Sequence, residues 1–210
     1  MAAKKKSQIP KIVSDKIEFV KSNDFININI IDDNRILIAM DNHEIHHYLR
    51  HRNGRFSVYD PLGKYKNEII KRIKYILLND NKLNSIVEFN KDNPVVISIK
   101  VKSLPPRSNS MKVIFYKMLG SIYNVRTPDI DNYQKTIFDI CNKVLWTDDA
   151  QIFKVIAEKS YSDKPYTEFE IEYKIEDPSL SKGSIKASEY KDKKRKALYE
   201  YVRKYKMGDK

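Results

Sequence analysis

Thr127-Pro128-Asp129-Ile130-Asp131-Asn132-Tyr133-Gln134-Lys135, answered by Leu145-Trp146-Thr147-Asp148-Asp149-Ala150-Gln151, is the stretch on which the reading of this chain turns. Tyr133, Ile137, Cys141 and Val144 recur at helical spacing between the two halves, so a helix is predicted over 130–144. One pair of carboxylates then stands at the start of that helix and a second pair beyond its end. Asp129 (or Thr127) and Asp131 have an ordinary reading, as acids that cap exposed N–H groups and meet the positive end of the helix dipole. Asp148-Asp149 alone reads as a turn pair. The other reading joins them: Asp129, Asp131 and Asp149 as hard oxygen ligands suited to Mg²⁺ or Mn²⁺. A protein of net charge +12 has little electrostatic reason to crowd acids unless a cation sits among them.

The charge balance points the same way. Forty basic residues against 28 acidic ones, with a pI near 9.5, imply a polyanionic partner, nucleic acid before an acidic membrane surface. A single cysteine excludes an internal disulfide and any Cys-based zinc cluster, which fits a reducing cytoplasm. No apolar run approaches the ~18–20 residues of a membrane span. The start, MAAKKKSQIPKIV, lacks the apolar core of a signal peptide.

Working outward, Ile26, Ile28 and Ile30 alternate, as do Ile36, Ile38 and Met40, around Asp32-Asp33-Asn34: a predicted hairpin. Residues 41–60 form a polar connection rich in His and Arg, with a turn signal at Asn53-Gly54. Tyr65, Ile69, Ile73, Ile76 and Leu77 predict a helix over 63–79 after Pro61. Ile97, Ile99 and Val101 predict a strand over 95–102. Pro105–Ser110 is a loop, and Val113–Leu119 fits a strand or a short helix. Strands are predicted again over 152–159 and 168–174. Pro178 and Gly183 mark a boundary, and Ser188–Lys206 carries a helical pattern. The expected architecture is α+β: a small mixed β-sheet packed with helices, plus a C-terminal basic helix. The expected divisions are a flexible basic arm (1–15), a body (16–177) and a basic tail (178–210).

Lys135 falls one helical turn after Asp131, where it makes an ordinary ion pair or sets an ammonium beside a scissile phosphate. A helix of that length is ~21 Å long, so Asp149 reaches the first pair only if the chain doubles back on a strand beginning near Ala150. Three carboxylates and a lysine would then suit metal-assisted phosphodiester hydrolysis, in which water is activated and charge on the phosphate neutralised.

The run PDIDNYQKTIFDICNKVLWTDDAQI, residues 128–152, resembles the signature of the RusA-type Holliday junction resolvases, D-[LI]-D-N-x-x-K followed by W-x-D-D-x-Q. A weaker likeness lies in His46-His47-Tyr48-Leu49-Arg50-His51-Arg52-Asn53-Gly54-Arg55. Together they span about 35–175. The resemblance implies a homodimeric, Mg²⁺-dependent endonuclease (Mn²⁺ substituting) that cuts symmetric strands of a four-way DNA junction in recombination and repair. It also implies a bacterial or phage-infected cytoplasm, at the nucleoid. Its metal-binding carboxylates carry over to Asp129, Asp131 and Asp149, and its lysine to Lys135; Asp148 and Asn132 match with less defined roles. Arg50, His51, Arg52 and Arg55 are the candidate DNA contacts. In place of the family's short basic run before the acidic motif, residues 104–125 form an insertion with few charges.

Two other features compete. His43-Glu44-Ile45-His46-His47 satisfies H-E-x-x-H, but that zinc motif needs a helix and a third ligand, and turn-forming residues follow at once. Between Lys182 and Lys210 there are 11 basic and 4 acidic residues, a solvated helix or a phosphate-tracking arm. The alternatives to the resolvase are a non-catalytic branched-DNA-binding protein, a less selective structure-specific nuclease and a zinc hydrolase.

Overall fold

The computed structural model describes residues 25–49, 52–53, 58–175, 198–200 and 202–203. Contacts divide the chain into two units, Met1–Ile175 and Glu176–Lys210. In the second, the described residues 198–200 and 202–203 are helical. The arm expected over 1–15 and most of the tail expected over 178–210 lie outside the described residues.

The first unit is α+β. A five-stranded mixed sheet has the order β1-β2-β7-β5-β6, with β1 Ile26–Asp32, β2 Arg35–Asp41, β5 Val95–Ser103, β6 Ile152–Tyr161 and β7 Tyr166–Tyr173. Every pairing is antiparallel except β5 with β6, which is parallel. A parallel pair needs a long crossover, and the crossover here is the whole of residues 104–151. Register sets one face apolar: Ile36 and Ile97 both pair with Ile171, and Ile38 and Ile99 both pair with Phe169, all buried. The alternate residues Lys100, Glu168, Glu170 and Glu172 lie on the opposite face, where Lys100 pairs with Glu168 at 3.1 Å.

Three helices cover the apolar face: α1 Gly63–Asn79, α2 Asn81–Asn90 and α4 Ile130–Cys141. α1 runs as the spacing predicts, burying Ile69, Ile73 and Leu77. Asp80 closes it and opens α2, its carboxylate accepting from the Leu83 N–H at 3.0 Å. α2 was not anticipated, although Asp80 with Leu83, Ile86 and Val87 is a legible cap and stripe. Between α1 and α4, the buried Lys66 ammonium meets Asp139 at 2.9 Å and Asp60 more closely. Burial alone would depress its pKa, but the two carboxylates raise it above the ordinary lysine range.

Two expectations need correction, and a third, left open, is decided. The helix predicted to 144 ends at Cys141: Lys143 takes a left-handed φ of 62°, and the Val144 and Leu145 N–H groups turn back to the Cys141 carbonyl. Val144 is buried by that turn and not by a helix. Asn53 is not a turn residue but a strand residue, in the two-residue ladder of β3 Arg52–Asn53 with β4 Val58–Tyr59. The ambiguous run is helix α3, Met111–Met118. It stops at Gly120, whose φ of 73° suits glycine, while the Gly120 and Ser121 N–H groups reach back to the Lys117 and Tyr116 carbonyls.

Candidate functional site

Asp129 takes the N-cap position of α4 in extended geometry, yet its side chain makes no capping hydrogen bond. The ordinary reading of this residue is therefore not realised, and its carboxylate stands exposed. Asp131, in the first turn, and Lys135, one turn on, are also exposed. The segment before Asp129 is fixed from β6: Lys159 Nζ donates to the Pro128 carbonyl at 2.6 Å and to that of Arg126, and the Thr127–Pro128 peptide is cis.

A second segment, residues 43–49, lies against α4 and was not predicted to touch it. The Tyr48 N–H donates to the Asn132 carbonyl at 2.9 Å. The Lys135 ammonium sits 3.8 Å from the centroid of the Tyr48 ring, a cation–π contact that limits where the lysine can reach. The buried Tyr133 hydroxyl donates to Glu44 in a short hydrogen bond. Burial first, and the Glu44 carboxylate second, hold that phenol above its ordinary pKa. Glu44 borders two cavities. One, of about 130 Å³, is shared with Ser103, Thr127, Pro128 and Lys159; the other, of about 420 Å³, with Ile45, His46, His47 and Leu62. Lys159 was not singled out from sequence; Glu44 was read only within the H-E-x-x-H pattern, and Tyr48 only within the weaker likeness over 46–55.

Among the described residues, His43, His46 and His47 are not set out as the zinc motif requires. Residues 43–49 form no helix. His43 Nε2 lies 2.8 Å from the Tyr65 hydroxyl, His46 stacks on the Tyr65 ring at 4.0 Å, and His47 meets the edge of Tyr133. Tyr65 is pushed up to about 12 by burial, so it stays a hydroxyl and also accepts from the His46 N–H.

Asp149 is elsewhere. The chain doubles back as expected, but Asp149 opens a 3₁₀ turn (Asp149–Gln151) at the beginning of β6, while β6's far end carries Lys159 to the first acidic pair. From Asp149 to Lys159 the strand rises roughly 25–30 Å at about 3.3 Å per residue; α4, running the other way, spans about 18 Å. Asp149 accepts from the buried Trp146 Nε1–H at 2.8 Å. Asp148 caps the turn, accepting from the Ala150 N–H at 2.8 Å, and Gln151 ties it to the Lys91 and Asn93 carbonyls, each at 2.9 Å. Thus Asp129, Asp131, Asn132 and Lys135 are brought together and Asp148 and Asp149 are not. Among the described residues no group of three or more acids, histidines or cysteines is placed to hold a metal ion. Arg50, His51 and Arg55 lie outside the described residues; Arg52 is in β3, its side chain undescribed.

Comparison with known proteins adds two findings. The family model of the endodeoxyribonuclease RusA matches residues 44–172. Protein YqaN of Bacillus subtilis (strain 168), itself uncharacterized, is 29% identical over 119 residues, which is 56% of this chain and 79% of that protein.

Proposed function

Because this chain belongs to the RusA endodeoxyribonuclease family, we propose that it resolves four-way DNA junctions by hydrolysing one phosphodiester in each of two symmetry-related strands, with Mg²⁺ or Mn²⁺ as cofactor. The observation that carries this is Asp129, which occupies a cap position without capping. Its carboxylate, with that of Asp131, is left exposed at the helix start beside a lysine.

Two carboxylates two residues apart suit one side of an octahedral divalent ion and leave positions for water and phosphate. Such an ion, when bound, supplies positive charge to the phosphate and lowers the pKa of water. The remaining work falls to the chain. Lys135, steadied over Tyr48, neutralises charge growing on the phosphate or on the leaving oxygen. Tyr133, bonded to Glu44, and Lys159, bonded to the Pro128 carbonyl, fix the helix start that carries both acids. Arg50, His51, Arg52 and Arg55 hold flanking phosphates. The third carboxylate comes from Asp149 of a second copy, so the active form is a homodimer. Asp148 shapes the turn that presents Asp149. The setting we infer is the nucleoid of a bacterial or phage-infected cell; among the described residues no helix is long and apolar enough to cross a membrane.

The test is incubation of the protein, and of its Asp131→Asn variant, with a synthetic four-way junction and a matched linear duplex, with Mg²⁺ or with EDTA. Paired symmetric nicks on the junction alone, lost with the variant or the chelator, are expected. Tight binding without cleavage would replace the nuclease with a junction-binding protein. Equal cutting of duplex would remove the junction selectivity.

A further inference from the structure

Residues 104–126, which lie between β5 and α4, carry Met111, Phe115 (59%), Tyr116, Leu119, Tyr123 (80%) and Val125 as exposed side chains. Exposed apolar groups gathered in one segment mark an interaction site. The charges around them are all of one sign. No acidic residue stands between Asp92 and Asp129, although the chain has 28, and Arg107, Lys112 and Arg126 are exposed among the apolar side chains. A surface that meets protein has no need to shed every carboxylate. One that meets a polyanion does, since each would repel it. Aromatic and aliphatic groups set among cations are also what stacks on nucleobases or wedges between them.

The segment is fixed to the end of β6. The buried Lys117 ammonium, without a hydrogen-bond acceptor among the described residues, lies 4.2 Å over the Tyr161 ring. Asn124 Nδ2 donates to the Ser160 carbonyl at 3.5 Å, and Lys159 Nζ donates to the Arg126 carbonyl. These contacts hold the exposed side chains just ahead of the acidic pair: Tyr123 and Val125 precede Asp129 by six and four residues. A DNA strand lying at Asp129 and Asp131 therefore lies beside this surface.

We propose that this surface selects branched DNA: Phe115 and Tyr123 stack against base faces laid open at the branch point, while Arg107, Lys112 and Arg126 meet the phosphates around it. Its place beside the cut rests on the nuclease reading; the surface and its one-signed charge do not. A linear duplex closes its base faces within the stack and shows this surface only groove edges and phosphates, so it gains the cationic contacts alone. A four-way crossover interrupts the stack, and its base faces are reached at less cost in unstacking. Every base has such a face, so the contact tolerates any sequence. Preference for branch over duplex then comes from shape, with no base edge read.

The test is fluorescence anisotropy of the full chain with a four-way junction and a matched linear duplex in EDTA, with sedimentation velocity of the free proteins alongside. Phe115→Ser and Tyr123→Ser should each weaken junction binding by about five- to 150-fold, the worth of one stacked base, and leave duplex binding unchanged. Tyr123→Phe, which keeps the ring, should bind the junction as the wild type does. Both positions are exposed, and retained duplex binding shows that the variants are folded. Junction binding untouched by both serines, or a loss shared equally by the duplex, would overturn the proposal. So would serine variants whose sedimentation changes while their junction preference stays, which would make the surface a contact between protein chains. A junction preference that responds as expected, with no nicking once Mg²⁺ is added, would sink the nuclease reading and leave the surface standing.

Discussion

A mixture of two inactive variants should cut DNA. On the proposed reading the metal ligands are Asp129 and Asp131 from one copy and Asp149 from the other, because within one chain Asp149 sits beyond the opposite end of α4. That separation, roughly 20 Å by the helix and strand rises, compares with a metal–oxygen distance of about 2.0–2.1 Å for Mg²⁺. No side-chain rotation closes such a gap. Asp131→Asn and Asp149→Asn should each lose several kcal/mol of transition-state stabilisation, on the order of 10²–10³ in rate. Asparagine is the right replacement at 149, since its side-chain oxygen still accepts from the Trp146 N–H and keeps the 146–151 turn. In a dimer of one variant with the other, both lesions fall in one site and the second site is whole. Equal mixing makes about half the dimers hybrid, so roughly a quarter of wild-type nicking should return. The nicks should fall on one strand per junction, visible with separately labelled arms. Hybrid dimers verified by native mass spectrometry that remain inactive would refute the shared site.

Three further outcomes follow. Tyr48→Leu should slow nicking by about two- to fivefold, the worth of an exposed cation–π contact of ~0.5–1 kcal/mol. Tyr48→Phe, which keeps the ring, should not; equal losses would assign the effect to the hydroxyl. Burial first and His46 second hold the His43 pKa below its ordinary value, with Glu44 opposing. The unfolded chain then takes up the proton first, so stability is full above about pH 6.5 and falls as the pH drops toward the folded value. His43→Phe should flatten the fall in Tm between about pH 7 and pH 5. Ile73→Ala, in the fully buried stripe of α1, should cost about 2–5 kcal/mol in urea unfolding.

The sheet and α1 were legible because period-2 and period-3.6 patterns act locally: Ile36 to Met40 and Ile69 to Leu77 state which face is buried before any partner is known. The acidic pair at 129 and 131 was legible as chemistry for the same reason, two residues on one helix start. The end of α4 was not, since Val144 keeps the helical spacing while being buried by a turn that depends on Lys143 adopting a left-handed conformation. Nor was the contact of residues 43–49 with α4. The Tyr48–Asn132 and Glu44–Tyr133 bonds join residues more than eighty positions apart, and no periodic pattern in 43–49 says what that segment packs against. The motif W-x-D-D-x-Q shows a further limit. Its Asp148 and Gln151 brace a 3₁₀ turn against Lys91 and Asn93, so part of a sequence match that points to chemistry is local architecture.

On the proposed reading, the placement of Asp149 ties cutting to assembly. A single chain carries two acids and a lysine at one end of α4, and one acid, held by Trp146, at the other. Neither end is a full ligand set, so an isolated copy should bind a divalent cation weakly and leave DNA intact. Two copies related by a two-fold axis complete two sites at once, because whatever brings Asp149 of the first to Asp129 of the second does the reverse as well. Each completed site then faces one of two symmetry-related strands. On this reading, paired nicking needs no communication between sites beyond the assembly of the two copies. It also predicts how cutting depends on concentration: wild-type nicking should fall steeply on dilution to the monomeric range, whereas Asp131→Asn should not cut at any concentration. Wild-type nicking per chain that stayed constant on dilution into the monomeric range would break the link between assembly and catalysis.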